Sequence, residues 1–369
     1  MPDAAEQESA DEAQAIGTAA QRVPVPPLAG TTFQDGIDHP ALWLWDAWTH
    51  EHAGTLHLFT LAVARRDLAG LPITPATRDA YPFHVRRFAS TDGGASWRDE
   101  GAYMLPPAGA GANVWSGSAL PHGDVLLFGY TQVRAPSAER RYVQAICLTE
   151  ASPDGAPPAS GRAVVLSDPE RDRDAIEAMG YYLGPASTLG GPSEEGGPLL
   201  AWRDPFLLAE PSGGVRAYWS AKVAPDRPAI AHARLACGPD GWTLGELLAP
   251  MTLPDADAFT QAEVPKVYAE PDGTGYLLLV SACDRRSEAQ PLAEVTKAMR
   301  LYRGPSPDGP WAPHAPGSSL VADAQGLFGG ALTEVGAGEA TLLAPYADAA
   351  PRGRALTFAA PRRIATGPR

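Results

Sequence analysis

The chain has 369 residues, of which 44% are hydrophobic, and 43 acidic against 29 basic side chains give it a net charge of −14. That apolar share supports a sizeable core and excludes wholesale disorder, while the acidic surplus repels phosphate backbones and excludes a nucleic-acid partner. Cys147, Cys237 and Cys283 are too scattered for a disulfide framework or a zinc site, and no apolar run reaches the roughly 18 residues of a membrane span.

Residues 1–30 are rich in Ala, acids and Pro, with five acids before the first base and no apolar stretch ahead of a small-residue cleavage site. They read as an acidic arm, disordered or loosely docked, in front of one folded unit over 31–369. The lack of an ordinary secretory signal points to the cytoplasm, or to export without a classical signal peptide. From Thr31 onward, short apolar runs of strand character fall at 56–63, 125–133, 216–223, 275–282 and 340–347, and only 170–183 and 293–302 carry helical patterns. This predicts an all-β fold. The 38 glycines and 38 prolines, spread without a G-X-Y period, fit its frequent turns.

A unit repeats along the chain. RRFASTDGGASW at 86–97, ARLACGPDGW at 233–242 and MRLYRGPSPDGPW at 299–311 share an Arg-bearing strand, an Asp-Gly turn and a Trp just beyond, and CLTEASPDG at 147–155 is a fourth copy without the Trp. A hairpin with Asp-Gly at its tip and a Trp packed back on its strands closes the outer edge of a propeller blade. Units of this spacing divide the folded part into five, which predicts a single five-bladed β-propeller with a central pocket. Residues 90–97 also fit the S-x-D-x-G-x-x-W Asp-box, a structural hairpin remote from active sites, so Asp92 is not a catalytic candidate.

Innermost strands converge on the pocket of a propeller, so acids beside aromatics in strand-like segments are the candidates for chemistry. Asp46 lies among Trp43, Trp45 and Trp48, whose faces suit a sugar ring, although a buried Asp satisfied by backbone amides would look the same. Asp204 follows Arg203 and precedes Pro205, a pair that by itself is usually a structural ion pair. Glu263 precedes Val264 and Pro265, where a strand start would serve as well. Taken together, one acid on each of three units is the set that glycosidic hydrolysis needs, with one carboxylate ionised and one carboxyl protonated. His39, His50, His52 and His84 match no metal-site spacing, and His84 is expected nearest the pocket.

On these residues, from about Trp43 to Tyr346, the chain resembles glycoside hydrolase family 68, the levansucrases, inulosucrases and related β-fructofuranosidases, whose clan includes family 32. The family's W-D-x-W is matched at Trp45-Asp46-Ala47-Trp48, its W-S-G-S-A at Trp115-Ser116-Gly117-Ser118-Ala119 and its R-D-P at Arg203-Asp204-Pro205. Its Q-T-E-R-P is similar to Gln261-Ala262-Glu263-Val264-Pro265. The resemblance implies a retaining glycoside hydrolase or fructosyltransferase acting on sucrose or related β-fructofuranosides, with no cofactor or metal. It implies Asp46 as nucleophile, Asp204 as transition-state stabiliser and Glu263 as acid/base, with Trp45, Trp48, Trp115, Ser116, Arg203 and Gln261 as substrate contacts. The expected partner is a small carbohydrate, bound by a monomer without membrane or nucleic-acid association.

Three departures fall on the leaving-group and acceptor side: Val264 where the family has Arg, Thr49-His50 in place of Pro-Leu, and Ala282-Cys283 where His or Arg is usual. The fructosyl subsite is thus expected to be retained and the acceptor side altered. An inverting furanosidase of the arabinanase or xylosidase type shares the layout and the order of acids, and a carbohydrate-binding propeller without turnover also fits. A sialidase fits the Asp-box but not the missing Arg-Ile-Pro opening. The choice between water and a sugar acceptor rests on loop shapes that sequence does not specify.

Overall fold

The computed structural model describes residues 24–367 apart from 108–111, 138–139, 141, 155, 159–162, 192–198, 288–289, 349 and 351–352. Each of the five apolar runs becomes the second strand of its own antiparallel sheet. In the first sheet β1 (Thr32–Gln34) joins the outer edge of four strands, and β2 (Gly36–Ile37) stands apart from it. Those four are β3 (Leu42–His52), β4 (Thr55–Ala64), β5 (His84–Ser90) and β6 (Ser96–Met104). The second sheet contains β7 (Asn113–His122), β8 (Val125–Arg134), β9 (Val143–Ala151) and β10 (Val164–Ser167), followed by the short helix α1 (Arg173–Ala178). The third holds β11 (Arg203–Ala209), β12 (Val215–Ala224), β13 (Arg227–Gly238) and β14 (Gly241–Leu247). The fourth holds β15 (Gln261–Ala269), β16 (Tyr276–Cys283), β17 (Lys297–Gly304) and β18 (Ala312–Pro313). In the last, β19 (Ala331–Val335) and β20 (Glu339–Leu343) precede β21 (Phe358–Ala359) and β22 (Arg362–Ala365); β22 pairs with β20, and β21 pairs with β2 near the start of the described chain.

The innermost strands β3, β7, β11, β15 and β19 form a ring in which β3 packs on β7, β7 on β11, β11 on β15 and β19 back on β3. This is the five-bladed β-propeller that the repeat predicts. The second strands β4, β8, β12 and β16 are buried along almost their whole length because a neighbouring blade covers each face. Burial on both faces produces unbroken apolar runs in place of alternation. Successive blades are joined by apolar clusters, such as Trp202 and Trp219 with Leu127 and Ile146 between the second and third.

The Asp-Gly turns join the third and fourth strands of the blades, as the Asp-box reading requires. Between β5 and β6, the Asp92 carboxylate accepts hydrogen bonds from Ser90 Oγ at 2.7 Å, Ser96 N at 2.8 Å and Ser96 Oγ at 2.6 Å. One expectation fails. Residues 293–302 form no α-helix but a three-residue 3₁₀ turn, Leu292–Glu294, followed by β17. Ala298 to Tyr302 pairs throughout with β16, and buried Met299 and Leu301 flank half-buried Arg300, an alternation that favours a strand. Of the proposed arm, residues 1–23 lie outside the described residues. The segment after them docks on the first blade, where Leu28 N donates to Asp99 Oδ2 at 2.9 Å and Arg86 donates to Pro26 O at 3.1 Å.

Candidate active site

The five inner strands share a device. Each breaks its register once: between Trp45 and Ala47, Trp115 and Gly117, Arg203 and Phe206, Glu263 and Lys266, and Leu332 and Glu334. An extra residue in one strand re-aims a side chain that regular pleating would send elsewhere. Asp46, Asp204 and Val264 take positive φ at these bulges, at 55°, 63° and 49°. The left-handed region is unfavourable for a carboxylate residue and more so for β-branched Val264, a cost that surrounding contacts must hold in place.

Those contacts form a ring from blade to blade. Ser116 Oγ donates a short hydrogen bond to Asp46 Oδ2, joining the second blade to the first. Asp204 N donates to Thr131 Oγ1 at 2.7 Å, joining the third to the second, and Val264 N donates to Asp204 Oδ2 at 3.1 Å, joining the fourth to the third. Gly329 N donates to Ser281 Oγ at 2.8 Å, and Ala47 N donates to Gly329 O at 2.6 Å, which returns the ring to Asp46. Gly329 lies at φ +68°, and a Cβ there would stand 2.2 Å from Asp46 Oδ1, so any side chain at this position displaces Asp46. Gly117 of the W-S-G-S-A segment is equally constrained, since a Cβ would meet Gly129 O at 1.9 Å.

The ring surrounds a pocket of about 120 Å³ whose walls include Trp45, Asp46, Trp115, Ser116, Arg203, Asp204 and Glu263. Arg203 donates to Glu263 Oε1 at 2.9 Å and to Gln261 Oε1 at 3.3 Å, and its Nε stands 3.6 Å from Asp204 Oδ2. Cys283 Sγ lies 3.8 Å from the same Glu263 oxygen. Burial pushes both Asp46 and Asp204 above the usual carboxylate range. The negative charge of Glu263 adds to both shifts, while Ser116 works against the first and Arg203 against the second. Carboxylates that cannot all ionise independently divide proton-holding and proton-free roles between them.

No protein-family model and no curated protein matches the chain. Solved structures do. An inulosucrase from Halalkalicoccus jeotgali bound to kestose aligns with a TM-score of 0.63 at 20% identity, covering 94% of this chain and 92% of the inulosucrase. Bacillus subtilis levansucrase gives 0.58 at 13%, covering 96% and 90%. A Bombyx mori glycoside hydrolase family 32 β-fructofuranosidase in complex with sucrose gives 0.57 at 14%, covering 98% and 68%. The chain shares their fold. The resemblance to family 68, and through its clan to family 32, therefore extends from four short motifs to the architecture as a whole.

Of the residues singled out in the sequence, the fold brings Asp46, Asp204, Glu263, Trp45, Trp115, Ser116 and Arg203 to the pocket wall. Trp48 is not among them: two residues past the bulge, it is 1% exposed and packs on Phe59 and Phe128. Gln261 is fully buried beside Arg203, which it orients, and its amide donates to Arg285 O at 3.4 Å. His84 does not line the pocket, because β5 is the third strand out from the centre; burial and nearby Arg86 push its pKa down to about 3. Sequence reading missed another part of the pocket wall, where Asp348 binds Lys297 at 2.8 Å and Arg78 at 3.3 Å. It also missed the hydroxyls of Thr60, Thr131 and Ser281 on the second strands. A single Thr or Ser interrupting each of those apolar runs is the signal that would have found them.

Proposed function

We propose that this chain is a retaining glycoside hydrolase or fructosyltransferase acting on sucrose or related β-fructofuranosides. Asp46, held by Ser116, attacks the anomeric C2 while Glu263 gives its proton to the leaving glycosyl oxygen. The bond from C2 to that oxygen breaks as the bond to Asp46 forms. Glu263, now ionised, takes a proton from water or an acceptor hydroxyl, whose oxygen displaces Asp46 from C2. Asp204 accepts hydrogen bonds from fructosyl hydroxyls, and its charge favours the oxocarbenium-like transition state. Trp45 and Trp115, both half-buried, offer the apolar faces for the sugar.

The observation that carries this reading is the convergence of Asp46, Asp204 and Glu263 from three blades onto one pocket, in a fold shared with an inulosucrase bound to kestose. Purified protein incubated with sucrose, raffinose and levan should release fructose, or release glucose in excess over fructose if transfer dominates. The first-formed fructose, followed by NMR, should keep the β configuration, and inversion would favour the arabinanase-like alternative. Asp46→Asn should lower turnover by at least about 10³-fold. No turnover of any fructoside, with sugar binding by Asp46→Asn equal to wild type, would leave a binding propeller in place of an enzyme.

A further inference from the structure

Lys266 lies on β15, three residues past Glu263, and is 1% exposed. Its ammonium donates to Val264 O at 3.4 Å, and among the described residues that carbonyl is its one hydrogen-bond partner. The same Val264 donates its N–H to Asp204. Lys266 also lines a second cavity of about 220 Å³ with Trp48, Ser118, Phe206 and Ala331. A buried lysine without a carboxylate in direct contact is expensive, and such a group persists where nearby charge compensates it. Asp46 and Asp204 are the two charges that act on it.

The charges of the reactive state show what it compensates. With Asp46 and Asp204 ionised and Glu263 protonated, the desolvated layer holds two negative charges, and Arg203 supplies one positive charge. Arg78, which also acts on Asp46, is engaged with Asp79 and Asp348. We propose that Lys266 is the second counter-cation of this layer, a positioning residue that keeps Asp46 and Asp204 ionised together without touching the substrate. The groups facing Asp46 are then Ser116 from β7, Asp204 from β11, Glu263 and Lys266 from β15, and Arg78 from the turn after β4; Asp204 faces Arg203, Asp46, Glu263 and Lys266. Burial draws the Lys266 pKa down to about 8, and the two aspartates resist that shift, as a mutually dependent set requires.

The inference rests on the fructoside reading for its kinetic test and on stability alone for the other. Lys266→Met retains the length of the side chain and removes its charge. In the full chain its acid limb of kcat against pH should move up by about one unit or more. Turnover should recover toward alkaline pH with KM little changed, and Lys266→Arg should restore the wild-type profile. An acid limb that stays in place in a folded Lys266→Met variant overturns the proposal. The second test needs no substrate. Lys266→Met should lower the melting temperature in the wild-type background and lower it distinctly less when Asp204→Asn has already removed one negative charge. If Lys266→Met fails to fold, the double variant should fold; equal loss in both backgrounds rejects the pairing. A wild-type protein inert toward every fructoside defeats the proposed function and leaves this stability test standing.

Discussion

Asp46 and Asp92 belong to the same blade and sit at its opposite ends. Asp92, exposed on the outer hairpin, accepts from Ser96 Oγ, Ser96 N and Ser90 Oγ, and those bonds draw its pKa down to about 2. Asp46, at the inner bulge with φ 55°, accepts from Ser116 and is pushed up by burial. One residue type thus carries opposite shifts because one carboxylate keeps water and several donors while the other loses water and gains like-charged neighbours. The outer edge is built for stability. The inner edge holds strain and desolvated charge, which only a surrounding scaffold can maintain, and that is the usual location of chemistry.

The sharpest way to break this contrast is at Gly329. An alanine Cβ would fall within 2.9 Å of the Asp46 Cα as well as against its carboxylate. The bulge has to shift, and displacement of a reacting group by about 1 Å costs on the order of 100-fold in kcat. Gly329→Ala should therefore fold and lose roughly that much turnover, measured on sucrose; near wild-type kcat would show that the bulge does not set the position of Asp46. The complementary change is Trp97→Ala on the outer hairpin. Trp97 is fully buried with Phe88 and Leu58 in the cluster that joins the first and last blades. Its removal should cost about 3–5 kcal/mol in denaturant unfolding while leaving kcat of the folded protein unchanged. A large kcat loss there would mean that the two edges are coupled.

The same contrast explains what was legible in the sequence. The second strands and outer hairpins were readable because burial on both faces writes continuous apolar runs, and the outer hairpins of the first four blades carry Asp-Gly, three of them with a Trp. Inner strands are harder to read, since the extra residue at each bulge flips the phase of alternation. The flip puts Trp48 on the same face of β3 as Trp45, opposite Phe59 as Trp45 is opposite Leu61, but Trp48 lies farther along the strand, where Phe59 and Phe128 enclose it in the core. The acids of the pocket stood out through aromatic or arginine neighbours. Gly329, Asp348 and Lys266 gave no local signal, because each gains its meaning from a partner on another blade: Asp46, Arg78 with Lys297, and the Asp46–Asp204 pair. The pattern at 293–302 read as helical because the Leu292–Glu294 turn and the start of β17 fall within one window.

The smallest expected effect is also the most direct measure of the contrast, since it compares the two aspartates by stability alone. A carboxyl whose folded pKa is raised contributes stability that is fully present below its unfolded value near 3.9 and is lost as pH rises through the folded value. Ionised Asp46 therefore weakens the fold at neutral pH. Asp46→Asn should raise the melting temperature at pH 7–8, by about 2 °C, with the gain shrinking toward pH 4. Asn also tolerates positive φ at least as well as Asp. Asp92 behaves in the opposite sense: its lowered pKa contributes stability above the unfolded value that is lost as pH falls through about 2. Asp92→Asn should lower the melting temperature at pH 7, and the difference should fade on acidification toward pH 2. Thermal scans of both variants across pH 2–8 should give curves of opposite sign, and equal signs at pH 7 would mean that burial does not separate the two ends of the blade.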